Sequence, residues 1–422
     1  MTALPNRWTV ARVAVAALAG LFLFTTPAAA AGPTVGTAGS ATTLRADPIR
    51  EGQWYLDYFN VPAAWRLSTG AGVTVAVIDS GVDASHPDLD GQVLPGTDLV
   101  DAGGNGHSDP VGHGTAVAAL IAGRGDDQQG IVGLAPDAKI LPVRVLDANN
   151  RYDDAMIVAK AVRYAVDNGA QVINLSLGGA GKSEALAAAI DYAFDHDVVV
   201  VACTGNRTSA NPHRVWYPAR EPGVVAVTGL STNTGELWSE ALTGSETVLA
   251  APATGLMSAR PGGYWSVQGT SFAAPMVAAT AALIRARWPD MPAGEVVNRL
   301  ISTARDLGRD GRDDTYGFGL VDPLAALTSQ VPAVGRNPLD DGISPGRAGF
   351  GPSTVASTTS QPHLRAMRGD RENTSAGWTT AHSADQTSDL PWGWGLLLGA
   401  SAPLGVVLVG AVRYRARSRS RR

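Results

Sequence analysis

The chain has 422 residues, enough for one large domain or two ordinary ones. Lys and Arg number 33 against 38 Asp and Glu, a formal charge of −5 that argues against a nucleic-acid partner. Cys203 is the single cysteine, so no intrachain disulfide can form, and export has to be read from targeting segments.

The N-terminus carries such a segment. Arg7 and Arg12 accompany an apolar run over 13–24, too short to cross a bilayer comfortably, and Pro27 and small residues from Ala28 to Ala31 follow. This is the pattern of a secretory signal, residues 1–31, with an uncleaved anchor as the alternative. Residues 32–50 form a short extension that could lie across an active site or wrap the domain behind it. Residues 32–52 are too few for a folded propeptide, so maturation by an internal chaperone domain is not expected.

Between 51 and 329 the texture changes. Short apolar, β-branched runs at 73–78, 140–145, 172–177, 198–201 and 224–227 predict strands, and 154–168 and 183–196 predict amphipathic helices. Near-continuous apolar strands separated by helices predict an α/β domain whose mainly parallel sheet is covered on both faces. Chemistry in such sheets gathers at the carboxyl ends of the strands, and Asp79 directly follows the first one.

Residues 330–389 are rich in Gly, Pro, Ser and Thr without apolar periodicity, which predicts a flexible stalk. Residues 390–412 lack any charge, a length that fits a hydrocarbon core of about 30 Å. Trp392 and Trp394 stand at the start of this run, and Arg413, Arg415, Arg417, Arg419, Arg421 and Arg422 follow it. The pattern predicts one C-terminal transmembrane helix with a basic cytoplasmic tail at 413–422 and the domain outside; six abutting arginines disfavour a buried core helix.

Three segments carry the chemistry: Val77-Ile78-Asp79-Ser80-Gly81, Gly112-His113-Gly114-Thr115, and Gly269-Thr270-Ser271-Phe272-Ala273-Ala274-Pro275. A serine hydroxyl becomes a useful nucleophile when a base within hydrogen-bond reach takes its proton. Histidine, with an ordinary pKa of about 6.5, suits that role near neutrality, and a carboxylate on its other nitrogen fixes the tautomer and stabilises the imidazolium. Taken singly, Asp79 reads as a turn residue, His113 as a structural histidine and Ser271 as a helix cap. In the order Asp, His, Ser and with these flanks, the chain resembles the subtilisin-like serine proteases over roughly 53–327. Val82-Asp83 and His86-Pro87-Asp88-Leu89 extend the likeness; Ala116 departs from it where many members carry a second histidine outside the triad.

The resemblance implies a three-layer subtilisin-like fold with Asp79, His113 and Ser271 as the triad. It places the oxyanion donor at Asn206, after the strand ending near Cys203, with the Ser271 N–H as its companion. Ser176-Leu177-Gly178 and Asn150-Arg151-Tyr152 become the edges that pair with substrate, and Trp216 falls on the floor of the first specificity pocket. A tryptophan there predicts preference for small P1 residues such as alanine; the alternative is that Trp216 simply packs in the core. Asp88 and Asp127 match a calcium region, but two carboxylates fall short of the about six to eight oxygens calcium takes, so no metal or other cofactor is expected.

The opening residues Gln53-Trp54-Tyr55-Leu56, Ala64-Trp65 and Ser68-Thr69-Gly70, the stalk and the C-terminal span together resemble the mycosins, membrane-anchored proteases of actinobacterial type VII secretion systems. The single cysteine and the short connection at 123–129 depart from mycobacterial members, which generally carry cysteine pairs and a longer loop. The resemblance implies a serine endopeptidase acting on exported proteins at the outer face of the cytoplasmic membrane, with secretion-complex subunits as partners. The competing role is a structural component of such a complex.

Overall fold

The computed structural model describes residues 47–126, 129–152, 154–207, 213–232 and 234–340, with the backbone of 378–380. The predicted signal, most of the N-terminal extension, most of the stalk, the predicted span and the tail lie outside the described residues, as does Asp127. Among the described residues no helix is long and apolar enough to cross a membrane.

Three short helices, α1 (Pro48–Glu51), α2 (Tyr55–Tyr58) and α3 (Val61–Trp65), lead to strand β1 (Thr74–Asp79). The central sheet adds β2 (Thr97–Asp98) and β3 (Lys139–Arg144), and, beyond a short edge strand β4 (Arg151–Tyr152), β5 (Val172–Leu175). After a two-residue strand β6 (Leu177–Gly178) come β7 (Val199–Cys203), β8 (Val225–Leu230) and β9 (Leu249–Pro252). The seven core strands lie in the order β2-β3-β1-β5-β7-β8-β9, and every pairing is parallel. Their residues are buried almost throughout, which explains the unbroken apolar runs.

From β1 the chain passes to β2 and β3 on one side of it, with α4 (His113–Ala122) between those two strands, and then to β5 and β7 on the other side, with α5 (Ala155–Asp167) before β5 and α6 (Glu184–Asp195) before β7. Helices α5 and α6 pack against each other. The strand order reverses at β1, and Asp79 ends that strand at the switch point where α/β sheets place their sites. Asp154 and Ser183 cap α5 and α6 through side-chain bonds from the Met156 and Leu186 N–H groups, so the predicted spans contain the helices with their caps.

A hairpin, β10 (Leu256–Arg260) and β11 (Gly263–Val267), precedes the long helix α7 (Thr270–Arg287), which is buried from Thr270 to Arg285 against α4 and the sheet. Ala273, Ala274, Ala278 and Ala281 on α7 and Ala116, Ala118 and Ala119 on α4 are fully buried, small side chains that let two helices lie side by side over the sheet. Helices α8 (Ala293–Ser302) and α9 (Pro323–Thr328) complete the domain. Residues beyond 329 also bond to this body of the chain. Asn298 Nδ2 donates to the Pro332 carbonyl at 2.9 Å, Asn337 Nδ2 to that of Gly223 at 2.8 Å, and the Gly223 N–H to that of Leu339 at 2.9 Å.

Candidate active site

Asp79 is carried to the sheet's carboxyl edge by β1 and is fully buried. Its Oδ1 accepts from the Ser80 N–H at 2.7 Å and lies 2.8 Å from His113 Nδ1. His113 opens α4, and its Nε2 lies 3.1 Å from Ser271 Oγ. The ring leans on Phe272 with centroids 5.0 Å apart, which fixes its tilt. Burial opposes an imidazolium here, but the Asp79 carboxylate, its hydrogen bond and the Asp109 charge outweigh it, so the His113 pKa lies above its ordinary value.

The start of α4 is held by a carboxylate that the motif reading missed. Asp109 accepts from the N–H groups of Gly112 and Thr115 at 2.7 and 2.8 Å and from the Ser80 and Thr115 hydroxyls at 2.8 and 2.6 Å. Ser80 Oγ in turn accepts from the Gly114 N–H at 3.0 Å. The loop after Asp79 and the helix bearing His113 are thereby tied together. A Cβ on Gly114 would stand 2.1 Å from the Gly81 carbonyl, so only glycine permits that approach. The available signal was a buried-type carboxylate four residues ahead of the Gly-His-Gly-Thr helix start.

Ser271 lies in the first turn of α7. Pro275, inside the same helix, has no N–H to give the Ser271 carbonyl four residues earlier. Ser176 Oγ supplies the missing donor at 2.6 Å and itself accepts from Asn174 Nδ2 at 2.9 Å. Proline inside the nucleophile's helix is thus compensated by a hydroxyl from the sheet, and Ser176 serves the nucleophile's backbone as well as the predicted substrate edge. Asn174 was also missed; its signal was a polar residue inside an apolar run.

Asn206 follows β7. Its Oδ1 accepts from the Thr270 N–H at 3.1 Å and the Thr270 hydroxyl at 2.8 Å, which turns the amide donor toward the space beside Gly269. Gly269 has φ 145°, and a Cβ there would lie 3.1 Å from Ser271 Oγ and 3.2 Å from Asn206 Nδ2. That point is within hydrogen-bond reach of both nucleophile and amide donor, and the glycine leaves it open. The four residues placed in the reacting centre by sequence are therefore brought together.

The groove beside them is made of backbone. Leu177 and Gly178 form β6, and Arg151 and Tyr152 form β4; Arg151 is exposed and Leu177 buried. Both edges are occupied. A strand β12 (Trp378–Thr380) runs antiparallel to each, with Trp378 opposite Tyr152, Thr379 opposite both Arg151 and Gly178, and Thr380 opposite Leu177. These three residues fall within the predicted stalk at 330–389.

Trp216 is buried against Gly178 and Gly205. A Cβ on Gly205 would meet its ring at 2.4 Å, and one on Gly178 would stand 3.1 Å from its Cβ. The indole lies against the Gly178 and Gly205 backbones and packs in the core, as the alternative reading of this residue has it. Cys203 lies beneath, with Sγ 3.9 Å from the Leu177 carbonyl, and burial pushes its thiol up to about 12. At the predicted calcium region, Asp88 accepts from the Ile131 N–H at 2.6 Å and the Tyr264 hydroxyl at 3.1 Å.

Comparison with known proteins bears on the same residues. The subtilase family model, peptidase S8, matches residues 70–319, which include all three triad positions. Mycosin-1 of Mycolicibacterium smegmatis is 36% identical over 336 residues, covering 66% of this chain and 73% of the relative. Fervidolysin of Fervidobacterium pennivorans is 36% identical over 313 residues, 67% of this chain, which spans 44% of that relative's length. Among solved structures, the serine protease MycP1, described as an essential component of the type VII (ESX-1) secretion system, superposes with a TM-score of 0.59. It is 36% identical and covers 66% of this chain and 88% of its own. With its triad geometry, its parallel sheet and a family match over more than half its length, the chain belongs to the subtilase family of serine peptidases.

Proposed function

We propose that this chain is a serine endopeptidase that processes exported proteins at the outer face of the cytoplasmic membrane, in the service of type VII secretion. The observation that carries the chemistry is the continuous run of Asp79 Oδ1, His113 Nδ1, His113 Nε2 and Ser271 Oγ at 2.8 and 3.1 Å. Ser271 Oγ adds to the scissile carbonyl as His113 Nε2 takes its proton, and Asp79 holds the resulting imidazolium. Asn206 Nδ2 and the Ser271 N–H, which lies in the first helical turn where no intrahelical acceptor exists, receive the oxyanion at the positive end of α7. His113 returns the proton to the departing amine, and water cleaves the ester by the reverse sequence.

The cellular role rests on the likeness to Mycosin-1 and MycP1, and on the N-terminal signal and C-terminal apolar segment in the sequence. Its test is complementation of a deletion with Ser271→Ala. Failure to restore secretion is expected; full restoration would assign the domain a structural role instead. Specificity rests on Trp216, which leaves room for a small P1 side chain. A peptide library should be cut after alanine, and efficient cleavage after Phe or Leu would contradict this.

A further inference from the structure

We propose that Arg260 reads the leaving side of the substrate and favours an acidic residue among the first three positions after the scissile bond. This rests on the endopeptidase reading of the same site. The chemistry says where the leaving side lies. His113 hands its proton to the departing amine, so that nitrogen must come within about 3 Å of His113 Nε2, which itself lies 3.1 Å from Ser271 Oγ. The predicted edges for the acyl side, β4 and β6, belong to the connections after β3 and after β5. The hairpin β10–β11 instead packs on α4, the helix that His113 opens, and runs directly into the turn before Ser271.

The register of the hairpin brings one cation to that place. Ser258 Oγ donates to the Ala116 carbonyl of α4 at 2.8 Å, and Arg260, two residues further along the same strand, shares its face. Arg260 therefore stands at the first residues of α4. A Cβ on Gly112, the residue before His113, would lie 3.5 Å from the Arg260 Cβ, 3.2 Å from Pro261 Cδ and 3.6 Å from Trp265 Cη2. With neighbouring Cα atoms about 3.8 Å apart, the Arg260 Cβ is within about 9 Å of the His113 Cα. An extended substrate advances about 3.3 Å per residue, so an arginine side chain there covers the first three positions. The place is fixed as well: Arg260 pairs with Gly263 across the turn Pro261-Gly262, where Gly262 takes φ 77°, and its guanidinium carbon stands 5.7 Å from the Trp265 ring centroid.

The charge is open to a ligand. Arg260 is exposed and forms no ion pair among the described residues. The carboxylates nearby are turned to partners of their own: Asp79 to His113, Asp109 to Ser80, Gly112 and Thr115, and Asp83 to the Ser85 N–H and hydroxyl at 3.0 and 2.6 Å. Beside Asn206, Arg207 and Glu240 are both exposed and opposite in charge, joined by a bond from the Arg207 N–H to the Glu240 carbonyl at 2.6 Å, so they offset each other. An acidic side chain on the leaving segment thus meets an attraction at Arg260, and a basic one meets a repulsion, both of the modest size of exposed charge pairs.

The test uses the full-length chain in a non-ionic detergent. Internally quenched peptides carry alanine or leucine before the scissile bond, and either aspartate or lysine at each of the first three positions after it in turn. At low salt the kcat/KM ratio of the aspartate to the lysine peptide should be about fivefold at one or more of those positions. It should approach one in Arg260→Gln and invert in Arg260→Glu. At about 1 M salt, where the screening length is about 3 Å, the wild-type ratio should fall toward one. Hydrolysis without preference between the two charges at all three positions, or a preference for aspartate that survives Arg260→Glu or high salt, overturns this inference alone. Loss of all hydrolysis in both Arg260 variants also overturns it, because the residue would then serve the packing of the hairpin. A wild-type chain that cuts none of the peptides overturns the endopeptidase reading with it.

Discussion

The reacting centre and the groove beside it are built from different materials. At the centre, Asp79, His113, Ser271 and Asn206 are buried side chains braced by further polar groups: the Ser80 N–H on Asp79, Asp109 and Ser80 Oγ on the helix start that carries His113, Ser176 on the Ser271 carbonyl, and Thr270 on Asn206. The predicted substrate edges are two short strands, β4 and β6, and Trp216 is buried in the core beside β6. Chemistry needs particular atoms at particular distances, so it is specified by side chains and braced. Binding of many sequences needs only main-chain donors and acceptors, so it tolerates exposed and variable side chains such as Arg151. Substitutions should therefore be costly at the centre and mild in the groove.

The largest expected effect is at the nucleophile and base. Ser271→Ala or His113→Ala should lower kcat by about a million-fold, the scale known for subtilisin itself, as measured with a chromogenic peptide under conditions that exclude a contaminating protease. Asn206→Ala should cost about 10²–10³ in kcat with little change in KM, again the scale known for that donor in subtilisin; a change confined to KM would remove Asn206 from the oxyanion site. In the pH profile, His113 must be neutral to act as a base. Because its pKa is raised, kcat/KM should fall as pH drops through a value above 6.5; an acid limb at or below 6.5 would contradict the influence of Asp79 and Asp109.

Smaller effects sharpen the contrast. Ser176→Ala leaves the Ser271 carbonyl without its donor and should cost about 1–3 kcal/mol in denaturant unfolding; an unchanged midpoint would mean that Pro275 needs no such compensation. Arg151→Ala, in the groove, should alter kcat/KM by less than about threefold, because surface substitutions rarely exceed about 0.5 kcal/mol. A loss comparable with that at Asn206 would show that the groove reads side chains after all.

The same division explains what could be read from the chain. The parallel sheet was legible because strands buried on both faces must be continuously apolar, as at 73–78 and 198–201, and α5 and α6 were legible because Asp154 and Ser183 cap them. The triad was legible because glycine-flanked motifs hold it in short segments. Asp109 and Asn174 escaped because their roles depend on contacts made by neighbours in space: Asp109 with Ser80, and Asn174 with Ser271 through Ser176. The hairpin β10–β11 escaped because its strands are only partly buried and lack a strong alternation. The pairing of β12 with β4 and β6 joins segments more than two hundred residues apart, and no local pattern announces it.

The central claim is that Ser271 is a working nucleophile activated by His113. Incubation of the protein with a serine-directed fluorophosphonate, followed by peptide mapping, tests it most directly. A single adduct on Ser271, absent from both Ser271→Ala and His113→Ala, is the predicted result. An unlabelled wild-type chain, or an adduct that persists when Ser271 is replaced, would contradict it.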